Sequence, residues 1–201
     1  MDIETSLRTA NLSALRTALS GLDHCPTVKL GDANAPALHA LCHHVFEQTI
    51  SQDDALPMAQ ALLDHGADPN EVFAQNGDSV LISAVSLSCD AIANLLLDRG
   101  ADAAHRGVFG STAIHWAAIM GMPNMTNRLI PVSDLELEDL QYQATPLDWA
   151  VQGAIAPPPG AHKQSHETIT TLIAAGSPIS SDWATNPDVS ANAALKHLLR
   201  L

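Results

Sequence analysis

Apolar residues recur along the chain in short groups whose spacing indicates a repeated helical unit. Leu81, Ile114 and Leu147 each stand in such a group, and they follow one another at intervals of 33 residues. A hydroxyl residue precedes each group, and Ser and Thr side chains commonly cap the first turn of a helix. The three predicted caps are Ser79, Thr112 and Thr145. We therefore expect a short apolar helix after each of them.

A second helix is predicted in three of the units, because Leu and Ile recur at helical spacing over Met58–His65, Ala91–Arg99 and Glu167–Ala175. A glycine follows each of these segments, at positions 66, 100 and 176, where a left-handed residue commonly ends a helix. Each unit is thus a helix–turn–helix. Its apolar face can be buried only if the units stack on one another.

This pattern resembles the ankyrin repeat. The similarity rests on Thr112-Ala113-Ile114-His115, on Thr145-Pro146-Leu147-Asp148, on Ala37-Leu38-His39 and on Gly-Ala-Asp at 66–68 and 100–102. The resemblance implies an all-α chain, an α-solenoid of about four ankyrin-like helix-turn-helix repeats with helical capping units. It also implies that His39 and His115 hydrogen-bond the turn between repeats.

The expected organisation has three parts. Residues 1–32 form an N-terminal helical cap and loop, with the loop continuing over Asp23–Ala35. Residues 33–179 form the ankyrin-like repeats, at about 33–73, 74–106, 107–139 and 140–179. Residues 180–201 form a C-terminal capping helix.

Three segments depart from the repeat pattern. Glu47–Ala55 and Ala154–Ser165 add residues between the two helices of their units, and the second of them is rich in proline. The third unit has Pro131–Asp139 in place of Gly-Ala-Asp, so we expect an irregular loop there.

Composition favours closely packed helices and an acidic surface. Aromatic residues make up 3% of the chain, and the net charge is −13. Such a surface repels nucleic acid phosphates and anionic lipids, so we expect neither nucleic acid nor membrane as a partner. It attracts a basic protein.

Catalytic and metal sites find little support in the residues. The chain has no nucleophile elbow, phosphate-binding loop or dinucleotide fingerprint. His162 and His166 are four residues apart beside Glu167, but no third ligand stands at a fixed spacing. We therefore predict no catalytic residues, no metal and no cofactor. A metal-dependent enzyme that uses the inserted loops stays open as an alternative.

The predicted binding surface comprises the loops that precede the first helices and the exposed sides of those helices. Its residues are Asp32, Asn34, His43, Gln75, Asn76, Asp78, Ser86, Val108, Phe109, Ser111, Met120, Gln141, Tyr142 and Gln152. Phe109 and Tyr142 occupy equivalent positions in successive units, where a ring has no core to fill. We expect them to anchor a partner or to fold back on a neighbour.

The function favoured by these features is non-enzymatic: a protein–protein interaction module that binds a basic partner through an acidic concave surface. An alternative is an inhibitor or immunity-type protein that occludes the active site of a basic toxin or nuclease. Three scattered cysteines and an acidic N-terminal segment favour a cytoplasmic protein. We expect a monomer when the partner is absent.

Overall fold

The computed structural model describes residues 1–25, 27–30 and 33–201. They are mostly helical, which confirms the all-α prediction, and they divide into two compact units, Met1–Val108 and Phe109–Leu201. Each unit is described by itself below.

The first unit contains three helix pairs. The pairs are α1 (Ile3–Arg8) with α2 (Leu12–Leu19), α3 (Ala37–Phe46) with α4 (Gln52–Asp64), and α5 (Val80–Ser86) with α6 (Asp90–Asp98). The first helices pack in one row, α1 on α3 and α3 on α5, while α2, α4 and α6 form a second row. The core between the rows consists of aliphatic side chains, among them Leu38, Leu62 and Leu81.

A short hairpin leads into α3. The sequence analysis predicted a loop in this segment, and that prediction was wrong. Strand β1 (Thr27–Leu30) pairs antiparallel with β2 (Ala33–Pro36), in the register Val28 opposite Ala35, where a loop was expected. Both Val28 and Ala35 are buried, so the hairpin is held by apolar contacts that a segment rich in turn-forming residues did not indicate.

The second unit repeats the pairing of helices. Helix α7 (Ala113–Ile119) pairs with α8 (Pro123–Leu129), and α9 (Pro146–Ile155) pairs with α10 (Ser165–Ala174). Again α7 packs on α9 and α8 on α10. Gly153 of α9 allows this helix to lie close to α7, because a Cβ at position 153 would collide with the carbonyl of Ile119.

The C-terminal capping helix is two helices rather than one. Helix α11 (Pro187–Ala191) ends at Asn192, and α12 (Ala193–Leu199) begins there. The Asn192 side chain accepts hydrogen bonds from the backbone N–H groups of Ala194 and Leu195, so it caps α12 and interrupts the helix.

Local signals at the helix ends were reliable. Ser79 and Thr145 accept hydrogen bonds from the third residue of their helices, and Thr145 with Asp148 completes a capping box. Gly66, Gly100 and Gly176 have φ of 87°, 82° and 94°, as expected for left-handed helix ends. Helix α4 begins earlier than predicted, because Ser51 caps it ahead of Asp53 and Asp54.

Candidate binding groove

The two repeat-position histidines are structural, as expected. His115 Nε2 lies 3.0 Å from the carbonyl oxygen of Leu137, and His39 Nε2 lies 3.4 Å from that of Glu71. Since a carbonyl only accepts, Nε2 is the donor in each ring and Nδ1 is the acceptor. Burial lowers the pKa of His39 to about 4, even though the Glu71 carbonyl favours its protonated form. His39 is therefore neutral at physiological pH.

Three of the predicted surface residues are buried, and their assignment to a binding surface was wrong. Asp78 has 6% of its surface exposed, and Ser111 and Met120 are still less accessible. Asp78 is enclosed because its carboxylate accepts hydrogen bonds from Val108 N–H (2.8 Å) and the Asn76 amide (2.7 Å), and Gly107 lies directly against it. Burial raises the pKa of Asp78, with the Val108 N–H and the charge of His105 opposing that rise only in part.

The other predicted surface residues are at least partly accessible where the structure describes them. Asp32 lies outside the described residues. Asn34, Gln75, Asn76, Gln141, Tyr142 and Gln152 are exposed, whereas His43, Ser86, Val108 and Phe109 are half-buried.

Phe109 and Tyr142, predicted at equivalent positions, are neighbours in the second unit. Their ring centroids are 5.8 Å apart at an interplanar angle of 55°. Phe109 has a left-handed backbone, with φ of 62°, and its carbonyl accepts the N–H of Leu140 at 2.8 Å. Phe109 is half-buried against Tyr142, as expected for a ring that folds back on a neighbour, while Tyr142 keeps 61% of its surface exposed.

These two rings line an open groove of about 510 Å³ that lies wholly within the second unit. Its other aromatic residues are Trp116, Trp149 and Trp183, and its polar residues are Asp148 and Gln152. The chain has three Trp, one Tyr and three Phe, so five of its seven aromatic side chains line this one groove.

The tryptophans were missed as site residues, although a signal for two of them was present in the sequence. Trp116 and Trp149 are 33 residues apart, at the same position of successive first helices. Their ring centroids are 5.3 Å apart at 75°, an edge-to-face arrangement. The equivalent position in the first unit is Ser83, so the indoles are special to the second unit.

Two carboxylates hold the groove in shape. Asp139, with 2% of its surface exposed, accepts the indole N–H of Trp149 at 2.9 Å and the backbone N–H groups of Gln141, Tyr142 and Ala144. Burial by itself raises the pKa of the Asp139 carboxyl, but these donors outweigh it, and the net pKa lies below the ordinary value. Asp139, the last residue of the acidic segment 134–139, therefore holds Trp149 and the loop that carries Tyr142 in place by hydrogen bonds.

Asp148 is the second of these carboxylates and stands at the surface of the groove. One oxygen accepts the backbone N–H and hydroxyl of Thr145, at 2.9 and 2.7 Å, and the other accepts the Trp183 indole N–H at 2.6 Å. The capping box of α9 thus positions both a negative charge and the third indole.

The inserted segment before α10 forms a separate open pocket of about 570 Å³, which includes His162, His166 and Glu167. Among residues 1–25, 27–30 and 33–201, no group of three or more His, Cys, Asp or Glu side chains is arranged to hold a metal ion. None of the described helices combines the length and apolarity needed to cross a bilayer.

No protein-family model matches the chain.

Proposed function

We propose that the chain is a non-enzymatic helical repeat protein of the ankyrin type that binds a basic protein partner. The 33-residue spacing, the paired helices of each unit and the left-handed glycines at helix ends support the repeat assignment. The two histidines that hydrogen-bond distant backbone carbonyls support it further.

One observation carries the binding proposal: five of the seven aromatic side chains line a single open groove in the second unit. Four of the five are at least partly accessible, whereas Trp149 is buried against Trp116 and His115. Accessible aromatic residues are costly to expose to water, and they are among the residues that dominate protein–protein binding energy. Tyr142 is the most accessible of them, so we place the centre of the contact there.

Charge indicates the kind of partner. The net charge is −13, and residues 129–162 contain five acidic residues and no Lys or Arg. The described residues that line the groove include Asp148 and no basic side chain. An acidic field of this kind accelerates encounter with a basic surface and disfavours an acidic one.

Site-specific photocrosslinking in cells of the native source tests the proposal. Tyr142 is replaced by a photoreactive benzoylphenylalanine, and Phe46 is replaced in the same way as a control. Phe46 is a suitable control because it is exposed, aromatic and located in the first unit.

We expect a basic protein to be crosslinked from position 142 and not from position 46. The crosslink should be lost when Phe109→Ala is added. Equal labelling from both positions, or labelling of acidic proteins only, would contradict the proposal.

A further inference from the structure

We propose that the aromatic groove receives an arginine side chain of the partner. The inference rests on the function proposed above and specifies the chemistry of the contact. It follows from three features of the groove: the orientation of its rings, the carboxylate in its wall and the scarcity of other polar groups.

The rings meet at steep angles, so their π faces point in more than one direction. Trp116 and Trp149 are inclined by 75°, and Phe109 and Tyr142 by 55°. A cation is attracted to the face of an aromatic ring when it lies within about 6 Å of the centroid, and Trp is the strongest partner. The groove contains all three tryptophans of the chain.

Asp148 supplies the opposite charge in a fixed position. Its carboxylate accepts hydrogen bonds from Thr145 N–H, the Thr145 hydroxyl and the Trp183 indole N–H. A carboxylate has about four acceptor sites, so about one remains for a ligand. The exposed amide of Gln152, also in the groove, adds a second acceptor.

This combination favours guanidinium over ammonium. Guanidinium is planar, stacks on aromatic faces and is weakly hydrated, whereas ammonium is compact and strongly hydrated. An ammonium group would lose its water molecules on entering this mostly aromatic groove. One carboxylate and one amide provide too few hydrogen-bond acceptors to replace them. The groove can still provide the stacking surface and the two acceptors that a guanidinium group uses.

The groove provides its own spectroscopic probe, because every tryptophan of the protein lines it. The three indole N–H resonances of the ¹⁵N-labelled protein are followed while N-acetyl-arginine methylamide is added. N-acetyl-citrulline methylamide, with the same shape and no charge, and N-acetyl-lysine methylamide are added in parallel experiments.

We expect saturable shifts with the arginine compound, and binding of the lysine compound about tenfold weaker. The citrulline compound should give no saturable shift over the same concentrations. Tyr142→Ala should weaken the arginine response, whereas the control Phe46→Ala should leave it unchanged. Because Tyr142 is exposed and fills no core, this variant should fold normally, and its three indole resonances verify that it does.

Equal binding of citrulline would overturn the proposal, since the contact would then be neutral stacking. Equal binding of lysine would overturn the choice of arginine, and so would the lack of any saturable shift. If crosslinking at position 142 yields a basic partner while the arginine compound fails, the proposed function stands and this inference falls. If crosslinking fails, both fall, whatever the small compound does.

Discussion

The two units place different side chains at one equivalent position of their first helices, and only the second unit has aromatic rings there. In the first unit this position is Ser83, whose hydroxyl lies 2.8 Å from His39 Nδ1 and completes the hydrogen bonding of that buried ring. In the second unit the position is Trp116 and Trp149, and Trp149 packs edge-on against His115 at 5.5 Å. The same scaffold carries a closed polar contact in one unit and an open aromatic groove in the other.

The loops before the first helices differ in the same way. Among the described residues, each unit has one buried carboxylate in such a loop: Asp78 in the first and Asp139 in the second. Asp78 accepts hydrogen bonds from Val108 N–H and the Asn76 amide and has a raised pKa, whereas Asp139 accepts four hydrogen bonds and has a lowered pKa. The loop that carries Tyr142 is thus organised around the carboxylate that accepts four hydrogen bonds.

The largest expected effect comes from removing the indole that ties the groove together. Trp149→Ala should lower the free energy of unfolding by about 3–5 kcal/mol, as large-to-small core changes do. It removes ring contacts with His115 and Trp116 and leaves Asp139 one donor short. Urea unfolding followed by circular dichroism measures the loss.

Phe73→Ala is the matched change in the first unit, where the half-buried ring contacts His39 at 5.6 Å. We expect a clearly smaller loss, because the ring has no second aromatic neighbour and no hydrogen bond to break. Equal losses in the two variants would show that the aromatic contacts of the second unit contribute no more to the free energy of unfolding than the single ring contact of the first.

The next largest effect on stability is expected from replacing one of the two buried carboxylates, Asp139, whereas replacing the other, Asp78, should have little effect. Asp139→Asn puts an amide NH₂ group against donors that a carboxylate oxygen now accepts, and should cost about 3 kcal/mol at neutral pH. Asp78→Asn keeps an acceptor for Val108 N–H and relieves a buried charge, and the exposed Asn76 side chain can turn its amide away from the new NH₂ group, so its effect should stay within about 1 kcal/mol. The two variants are compared by urea unfolding in one buffer, and a similar cost at both sites would refute the distinction.

The pH dependence of stability should have opposite signs at the two sites. The lowered pKa of Asp139 means that its contribution is present above the unfolded value of about 4 and is lost as the pH falls through the folded value. The raised pKa of Asp78 means that stability falls as the pH rises from about 4 towards the folded value, and then levels off. Unfolding free energies of the wild type and both Asn variants between about pH 3 and pH 7 reveal the two terms. A term of the same sign at both sites would contradict this account.

A smaller effect concerns the loop backbone. Gly77, Gly110 and Gln143 occupy equivalent positions with φ of 80°, 71° and 53°. Gln143→Gly should therefore stabilise the second unit by about 0.5 kcal/mol, because relief of the left-handed strain slightly exceeds the added chain entropy. The reverse change, Gly77→Gln, should cost about 0.5 kcal/mol through the same two terms, since nothing lies within 4 Å of a Cβ there and no collision adds to the strain. Thermal unfolding measures both, and a loss of stability on Gln143→Gly would contradict the strain argument.

The helices could be predicted because their signals are local. Ser79 and Thr145 cap where expected, and glycine ends α4, α6 and α10. The hairpin Thr27–Leu30 with Ala33–Pro36 could not be predicted, because it depends on burial of Val28 and Ala35 rather than on the residues that flank it.

The site could be predicted only in part. Phe109, Tyr142 and Gln152 were identified because they stand in loops and on outward helix positions of the repeat pattern. Asp78 was misassigned since the residue that covers it, Gly107, is distant in sequence. Trp183 joins the groove through its hydrogen bond to Asp148, across 35 residues, and no sequence pattern indicates such a contact.

The central claim is that the aromatic groove of the second unit is the binding site. It is tested most directly by measuring how fast the partner that crosslinking identifies dissociates from the protein, with no crosslinker present. Tyr142→Ala should raise the dissociation rate about tenfold or more, and Phe46→Ala should change it by less than about twofold. Added salt should slow association of the wild type, because an acidic surface meets a basic one. An unchanged dissociation rate for Tyr142→Ala, together with association that does not respond to salt, would contradict the account.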